Sequence, residues 1–173
     1  MLLNHSMKTL IAVSGSGGKK ERIPDYVLSI AEDLGFYIAK QDAVLVTGGR
    51  GGVMEAACRG AKKAEGFTLG ILPNEKNEAN DFVDIALGTG LSFQRNFLIA
   101  RSADCLICLA GRWGTLSEIA AAFILEKPVV FVESSFGMVD KILDNGFIPK
   151  DYQNYGVADN AKNAVELAFD FLK

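Results

Sequence analysis

The chain has 173 residues, 49% hydrophobic and 23% charged, with a formal net charge of −3. That length can bury a substantial core in one domain, the composition is that of an ordinary globular protein, and the net charge gives no electrostatic case for nucleic acid, which would favour a concentrated basic face. No apolar run reaches the ~18–20 residues of a membrane span, so neither a membrane nor nucleic acid is an expected partner.

Residues 1–6 (MLLNHS) read as a short leader without the charged region of a signal peptide, and 7–173 as a single domain. The uninterrupted apolar run Thr9–Val13 predicts a strand buried on both faces. Ser14-Gly15-Ser16-Gly17-Gly18 ends it. Pro24 at a first helical turn, followed by Val27, Leu28, Ile30, Ala31 and Leu34, predicts a helix ending near Gly35 or shortly after. Ala43–Val46 is a second strand, Thr47–Gly52 a second glycine loop, and Val53–Ala64 a helix with Met54, Ala57 and Ala61 on one face. Phe67–Leu72 is a third strand and Phe82–Leu87 a short extra one.

Gly88-Thr89-Gly90 leads into a helix over Ser92–Ser102, whose apolar face is read as Phe93, Phe97, Leu98 and Ala100. Asp104–Leu109 is a strand, followed by the stretch AGRWGTLSE (Ala110–Glu118) and a helix to Glu126. Val129–Val132 is another strand. A helix over Gly137–Asn145, a loop to Ala158 and a helix over Asn160–Leu172 complete the chain. Strands alternating with helices, each strand too apolar to face water, predict a Rossmann-like, doubly wound, mostly parallel sheet with helices on both faces. Ligands bind such sheets beyond the carboxyl ends of the strands, so the three glycine loops should share one edge.

Side-chain chemistry narrows the function further. The only histidine, His5, lies in the leader, which excludes a histidine triad or a multi-histidine metal site. Three cysteines without a tight framework suit a reducing cytoplasm. Cys105 and Cys108 read C-x-x-C, but in a strand these positions point to opposite faces, so they read as buried apolar residues; no metal and no cofactor are expected. The clusters Lys19, Lys20, Arg22 and Lys62, Lys63 read as solvated surface.

The first loop offers Gly15, Ser16 and Gly17 as phosphate contacts. It lacks the dinucleotide fingerprint, since Lys20 takes the third glycine position, and it lacks P-loop spacing. No acidic residue closes the second strand to hold a ribose, which disfavours a classical NAD or ATP site. The second loop offers Gly48, Gly49, Arg50, Gly51, Gly52 and Met54, read either as ligand contacts or as a tight strand–helix turn. The third offers Gly111, Arg112, Gly114 and Thr115 at a helix start, where backbone N–H groups favour an anion. Its Thr115-x-x-Glu118 also fits a capping box, in which Glu118 reaches back to the Thr115 N–H. Arg95 is either a surface arginine or one paired to a carboxylate in the cleft.

Together these motifs resemble the LOG-like family, often mislabelled as lysine decarboxylases. The family's GGxxGxM is here Gly48–Met54, its arginine–lysine pair is Arg95-Asn96, its PGGxGTxxE is AGRWGTLSE, and its K-P-V strand start is Lys127-Pro128-Val129. The resemblance runs from Met7 to Val132. It implies removal of the base from a nucleoside 5′-monophosphate, with Glu118 as the catalytic carboxylate, Arg95 orienting it, and amides near Gly51, Gly114 and Thr115 holding the phosphate. It also implies a homodimer or higher homo-oligomer; the apolar faces around Ala120–Leu125 read either as part of such an interface or as core. No lysine has a Schiff-base context, so a pyridoxal-phosphate decarboxylase is not expected. Three positions depart from the pattern: Ala110 replaces the proline, Arg112 the second glycine and Asn96 the lysine. Because a molybdenum-cofactor carrier belongs to the wider group, a non-catalytic binder of a nucleotide or phosphate-bearing cofactor stands as the alternative.

Overall fold

The structure, a computed structural model, describes residues 7–17 and 23–173. The leader with His5, and the cluster of Lys19, Lys20 and Arg22, lie outside the described residues. Among the described residues are seven strands and six α-helices. They run in the order β1 (Leu10–Ser14), α1 (Asp25–Lys40), β2 (Val44–Thr47), α2 (Val53–Lys63), β3 (Thr68–Leu72), β4 (Ile85–Gly88) and α3 (Arg95–Ser102). The second half holds β5 (Cys105–Cys108), α4 (Trp113–Ile124), β6 (Val129–Val132), α5 (Met138–Asp144), β7 (Tyr155–Ala158) and α6 (Ala161–Asp170).

All the strands are parallel, in the order β4-β3-β2-β1-β5-β6-β7, a Rossmann-like α/β sheet. The chain winds outward from β1 to β4 and then crosses back to β5. That reversal opens a crevice beyond the carboxyl ends of β1 and β5. The central strands are continuous apolar runs because helices cover both faces. One layer packs Val27, Leu34 and Ile38 of α1, Ala57 of α2 and Val165 of α6 against Ile11, Leu45 and Ile107. The other packs Ile99 of α3, Ile119 and Ala122 of α4 and Ile142 of α5 against Ala12, Leu106 and Phe131. Cys105 faces the first layer and Cys108 the second, as strand alternation requires.

Three expectations about the elements change. Helix α1 continues past Gly35 to Lys40. Gly35 is a contact residue and not a stop: a Cβ there would lie 1.8 Å from the Ala57 carbonyl oxygen, and one at Gly60 would lie 1.8 Å from that of Glu32. The two glycines let α1 and α2 touch backbone to backbone. The segment read as a loop to Ala158 contains β7, which pairs with β6 from Val129↔Tyr155 to Val132↔Ala158. Its sequence, YGVA, is short and half-exposed at the sheet edge, and Gly156 is there because a Cβ would strike Leu167 of α6.

The helix expected over Ser92–Ser102 begins as a 3-10 turn, Ser92–Gln94, before α3 proper. Its buried face is Arg95, Asn96, Ile99 and Ala100, while Phe93 is 82% and Phe97 45% exposed. Polar residues face inward here because they have polar partners in the crevice. The lysines of α2 are surface residues held by acids: Lys62 donates to Asp84 at 2.8 Å, and Lys63 pairs with Glu32.

Candidate functional site

Strand β1 ends in Ser14, a buried hydroxyl at the tip of an otherwise apolar strand. Across the crevice, α4 opens from Arg112, which has extended backbone (φ −138°), and no side chain caps the helix. Its first-turn amides therefore lack both an intrahelical acceptor and a cap. Thr115 and Glu118, three residues apart on α4, share the face turned to β1 and are both buried.

The capping-box reading of Thr115 and Glu118 is corrected here. The helix begins at Trp113 and includes Gly114, so Thr115 stands in the third helical position and not at the cap. Glu118 instead turns inward. The Ser14 hydroxyl donates to its Oε2, and Arg95 Nη1 lies 3.4 Å from its Oε1. The ion pair is buried on both sides, so Arg95 is not a surface arginine.

Burial pushes the Glu118 carboxyl up to about 7, with the Ser14 hydrogen bond and the Arg95 charge pulling partly the other way. Burial also lowers the Arg95 guanidinium from its ordinary value, against the attraction of Glu118. Two polar atoms in this crevice, Arg95 Nε and Thr115 Oγ1, are buried and have no protein partner. Buried polar groups are nearly always paired, so these two are exceptions among the described residues.

The three loops converge as expected. They line a cavity of about 300 Å³, to which the first contributes Gly15 and Gly17 and the second Gly48, Arg50 and Met54. The third contributes Arg112, Gly114 and Thr115, with Arg95 and Glu118 on the wall. Ser16 and Gly111 line a second, larger cavity, to which Arg112 also belongs.

Three predicted contacts, Gly49, Gly51 and Gly52, line neither cavity. Gly49 donates its N–H to Thr47 Oγ1 at 3.0 Å, and its carbonyl accepts from Asn80. Gly52 has φ +72°, and a Cβ there would lie 2.4 Å from the Ser16 carbonyl oxygen. That carbonyl accepts from the Val53 N–H at 2.9 Å, while Ser16 Oγ accepts from Gly111 N–H at 3.1 Å. Ser16 thus ties the first loop to both of the others.

Sequence reasoning did not single out Ser14 or the part played by Asn96. Asn96 Nδ2 donates to Ser117 Oγ at 2.7 Å and to the Gly114 carbonyl at 3.3 Å, joining α3 to the first turn of α4. A polar residue closing an apolar strand was the available signal for Ser14. Its partner lies 104 positions away, which no local pattern reveals.

Comparison with known proteins gives concordant relatives. The model of the SLOG cluster4 family matches residues 8–165. The chain is similar to the molybdenum cofactor binding protein of the phototrophic bacterium Rippkaea orientalis, with 37% identity and a TM-score of 0.86 over 96% of this chain and 99% of that one. It is similar to the molybdenum cofactor carrier protein of Chlamydomonas reinhardtii, with 34% identity and a TM-score of 0.81 over 95% and 99%. It is 27% identical to cytokinin riboside 5′-monophosphate phosphoribohydrolase LOG5 of Arabidopsis thaliana, over 92% of this chain and 75% of the relative.

Proposed function

The chain belongs to the SLOG cluster4 family, and from its crevice we propose that it binds a nucleoside 5′-monophosphate or a similar phosphate-bearing heterocycle. The phosphate occupies the 300 Å³ cavity at the start of α4. The observation that carries this reading is the pair of buried, unpartnered atoms, Arg95 Nε and Thr115 Oγ1. An unsatisfied buried donor costs ~1–3 kcal/mol, and a phosphate oxygen in reach of both recovers that cost. The uncapped amides of α4 and the charge of Arg112 favour the same dianion.

Bound there, the ligand has two fates open to it. In the first, the site hydrolyses the N-glycosidic bond. That bond breaks with its electron pair leaving on the base, positive charge develops on the ribose, and water adds at the anomeric carbon. Glu118 in its ionised form stabilises that charge and takes the water's proton, while the departing base is protonated from solvent. A carboxyl near 7 is matched to such proton transfer at neutral pH. Ser14 and Arg95 act through Glu118 as positioning residues.

In the second, the protein carries its ligand unchanged. Arg112 favours this fate, because it puts a long cation in the cavity of Glu118 where the LOG-like pattern has glycine. Similarity to the molybdenum cofactor proteins supports it as well.

Incubation with AMP, followed by chromatographic detection of free adenine, separates the two. Hydrolysis predicts base release that falls ~10²–10⁴-fold in Glu118→Gln with affinity nearly kept. Carriage predicts saturable binding, no base release from either protein, and an affinity that changes in Arg112→Gly. Base release at equal rates from wild type and Glu118→Gln would remove the assigned mechanism.

A further inference from the structure

Beside the phosphate cavity lies a larger one of about 800 Å³, formed by the start of α4, the loop from β6 to α5, the α5 side chains Met138, Asp140, Lys141 and Asp144, and Ser16 and Ile23 of the first loop region. Two aromatic side chains on its wall are unusual for their positions. Trp113, the only tryptophan of the chain, opens α4 and is 76% exposed. Phe136 is 52% exposed and held at φ +76°, a conformation that a bulky side chain rarely adopts. Its exposure means that burial does not repay the strain.

The loop is nonetheless fixed firmly. The Ser135 and Phe136 amides donate to the Asp140 carboxylate at 3.2 and 2.9 Å, and Ser135 Oγ accepts from Ala110 N–H at 2.8 Å. The Met138 and Val139 amides donate to the Gly111 and Ala110 carbonyls at 2.9 and 3.0 Å. Strain held in place by surrounding bonds, on a side chain left facing a cavity, points to a ligand contact. Arg112 lines both cavities, so the two are neighbours across one side chain.

We propose that the larger cavity takes the planar heteroaromatic ring of the ligand, against Trp113 and Phe136, while its phosphate lies in the smaller cavity on the far side of Arg112. This rests on the phosphate reading above and adds the ring's location. Flat π-faces suit a purine or a pterin alike, and Arg112 offers a planar cation to either ring.

The lone tryptophan reports on this directly. Titration of the full chain with AMP, GMP or a phosphorylated pterin, read by calorimetry and by Trp113 emission, tests the ring. Ribose 5-phosphate is the ringless control. The expected result is saturable quenching by at least one ring-bearing phosphate and ribose 5-phosphate binding without quenching. Whichever ring binds more tightly identifies the source. Phe136→Ala and Trp113→Ala should each weaken the ring-bearing ligand about tenfold, by calorimetry, and leave ribose 5-phosphate unchanged.

Phe136→Gly, which relieves the strained φ, should weaken the same ligand while keeping or raising Tm. A purely structural role for Phe136 predicts the opposite pattern. Ring-bearing ligands that bind without any Trp113 response overturn the proposal, as does equal weakening of ribose 5-phosphate. So does emission that changes only with protein concentration, since that would assign Trp113 to self-association. Quenching by adenosine with no binding of ribose 5-phosphate would overturn the phosphate cavity and leave the ring site standing, so the two readings fail separately.

Discussion

The loops that open α2 and α4 are nearly the same in sequence logic, a strand ending in glycines and then a helix, yet the fold uses them differently. In the α2 loop, Gly49 and Gly52 serve the backbone itself: one completes a bond to Thr47 and the other clears the Ser16 carbonyl. In the α4 loop the glycine that matters, Gly114, has open space: a Cβ added there would find its nearest neighbour, Asn96 Nδ2, at 3.7 Å. The unpartnered Thr115 hydroxyl stands beside it. Glycine richness therefore does not mark a ligand site. What sets the α4 loop apart is the unpaired hydroxyl beside that open space, and the proposed phosphate site rests on it.

The sharpest way to break this contrast is to add one methyl group to each loop. Gly52→Ala forces a Cβ to 2.4 Å from backbone at φ +72° and should cost ~3 kcal/mol or more, seen as a large fall in the denaturation midpoint. Gly114→Ala meets no clash and improves helix propensity, so stability should hold or rise by up to ~1 kcal/mol. Its methyl nevertheless enters the cavity, and AMP affinity should fall. Equal stability losses in the two variants would erase the distinction.

A second test uses the buried carboxyl. Its pKa is raised in the folded protein, from 4.5 to about 7, so the unfolded chain ionises first as pH rises. Glu118 thus disfavours folding progressively between about pH 4.5 and pH 7, by up to roughly 3 kcal/mol, and stability levels off above that window. In Glu118→Gln this part of the pH dependence should vanish. Urea midpoints measured from pH 4 to pH 8 for both proteins check it, and parallel curves would contradict the burial argument. The expected effect is somewhat smaller than that of Gly52→Ala because ordinary carboxylates add an opposing slope.

Smallest in energy, but most specific, is Thr115→Val. The swap keeps the shape and removes a hydroxyl that has no protein partner. Stability should be unchanged or improved by ~1 kcal/mol, while phosphate affinity drops about tenfold. Loss of stability without loss of affinity would mean that the hydroxyl serves the fold.

The parallel sheet was legible because helices cover both its faces and leave β1, β2, β3, β5 and β6 as unbroken apolar runs. Strand β7 was not, since an edge strand of four residues with Gly156 at its centre carries neither length nor alternation. The convergence of the loops on one edge followed from topology alone. Which glycines pack and which line a cavity did not, because the residue type is the same and only its neighbours differ. Thr115 and Glu118 show the limit most clearly. Their spacing fits a local cap, and a contact from Ser14, on the other side of the crossover, decides the geometry instead. Phe93 and Phe97 misled in the opposite sense: they are apolar, yet α3 turns Arg95 and Asn96 inward.

On the function proposed above, the first turn of α4 receives a phosphate through groups the fold leaves unpaired. Calorimetric titration of AMP and of adenosine into wild type and Thr115→Val tests it most directly. Wild type should bind AMP saturably and adenosine far more weakly, with Thr115→Val losing about tenfold for AMP alone. Equal binding of AMP and adenosine, or AMP binding untouched by Thr115→Val, would contradict it.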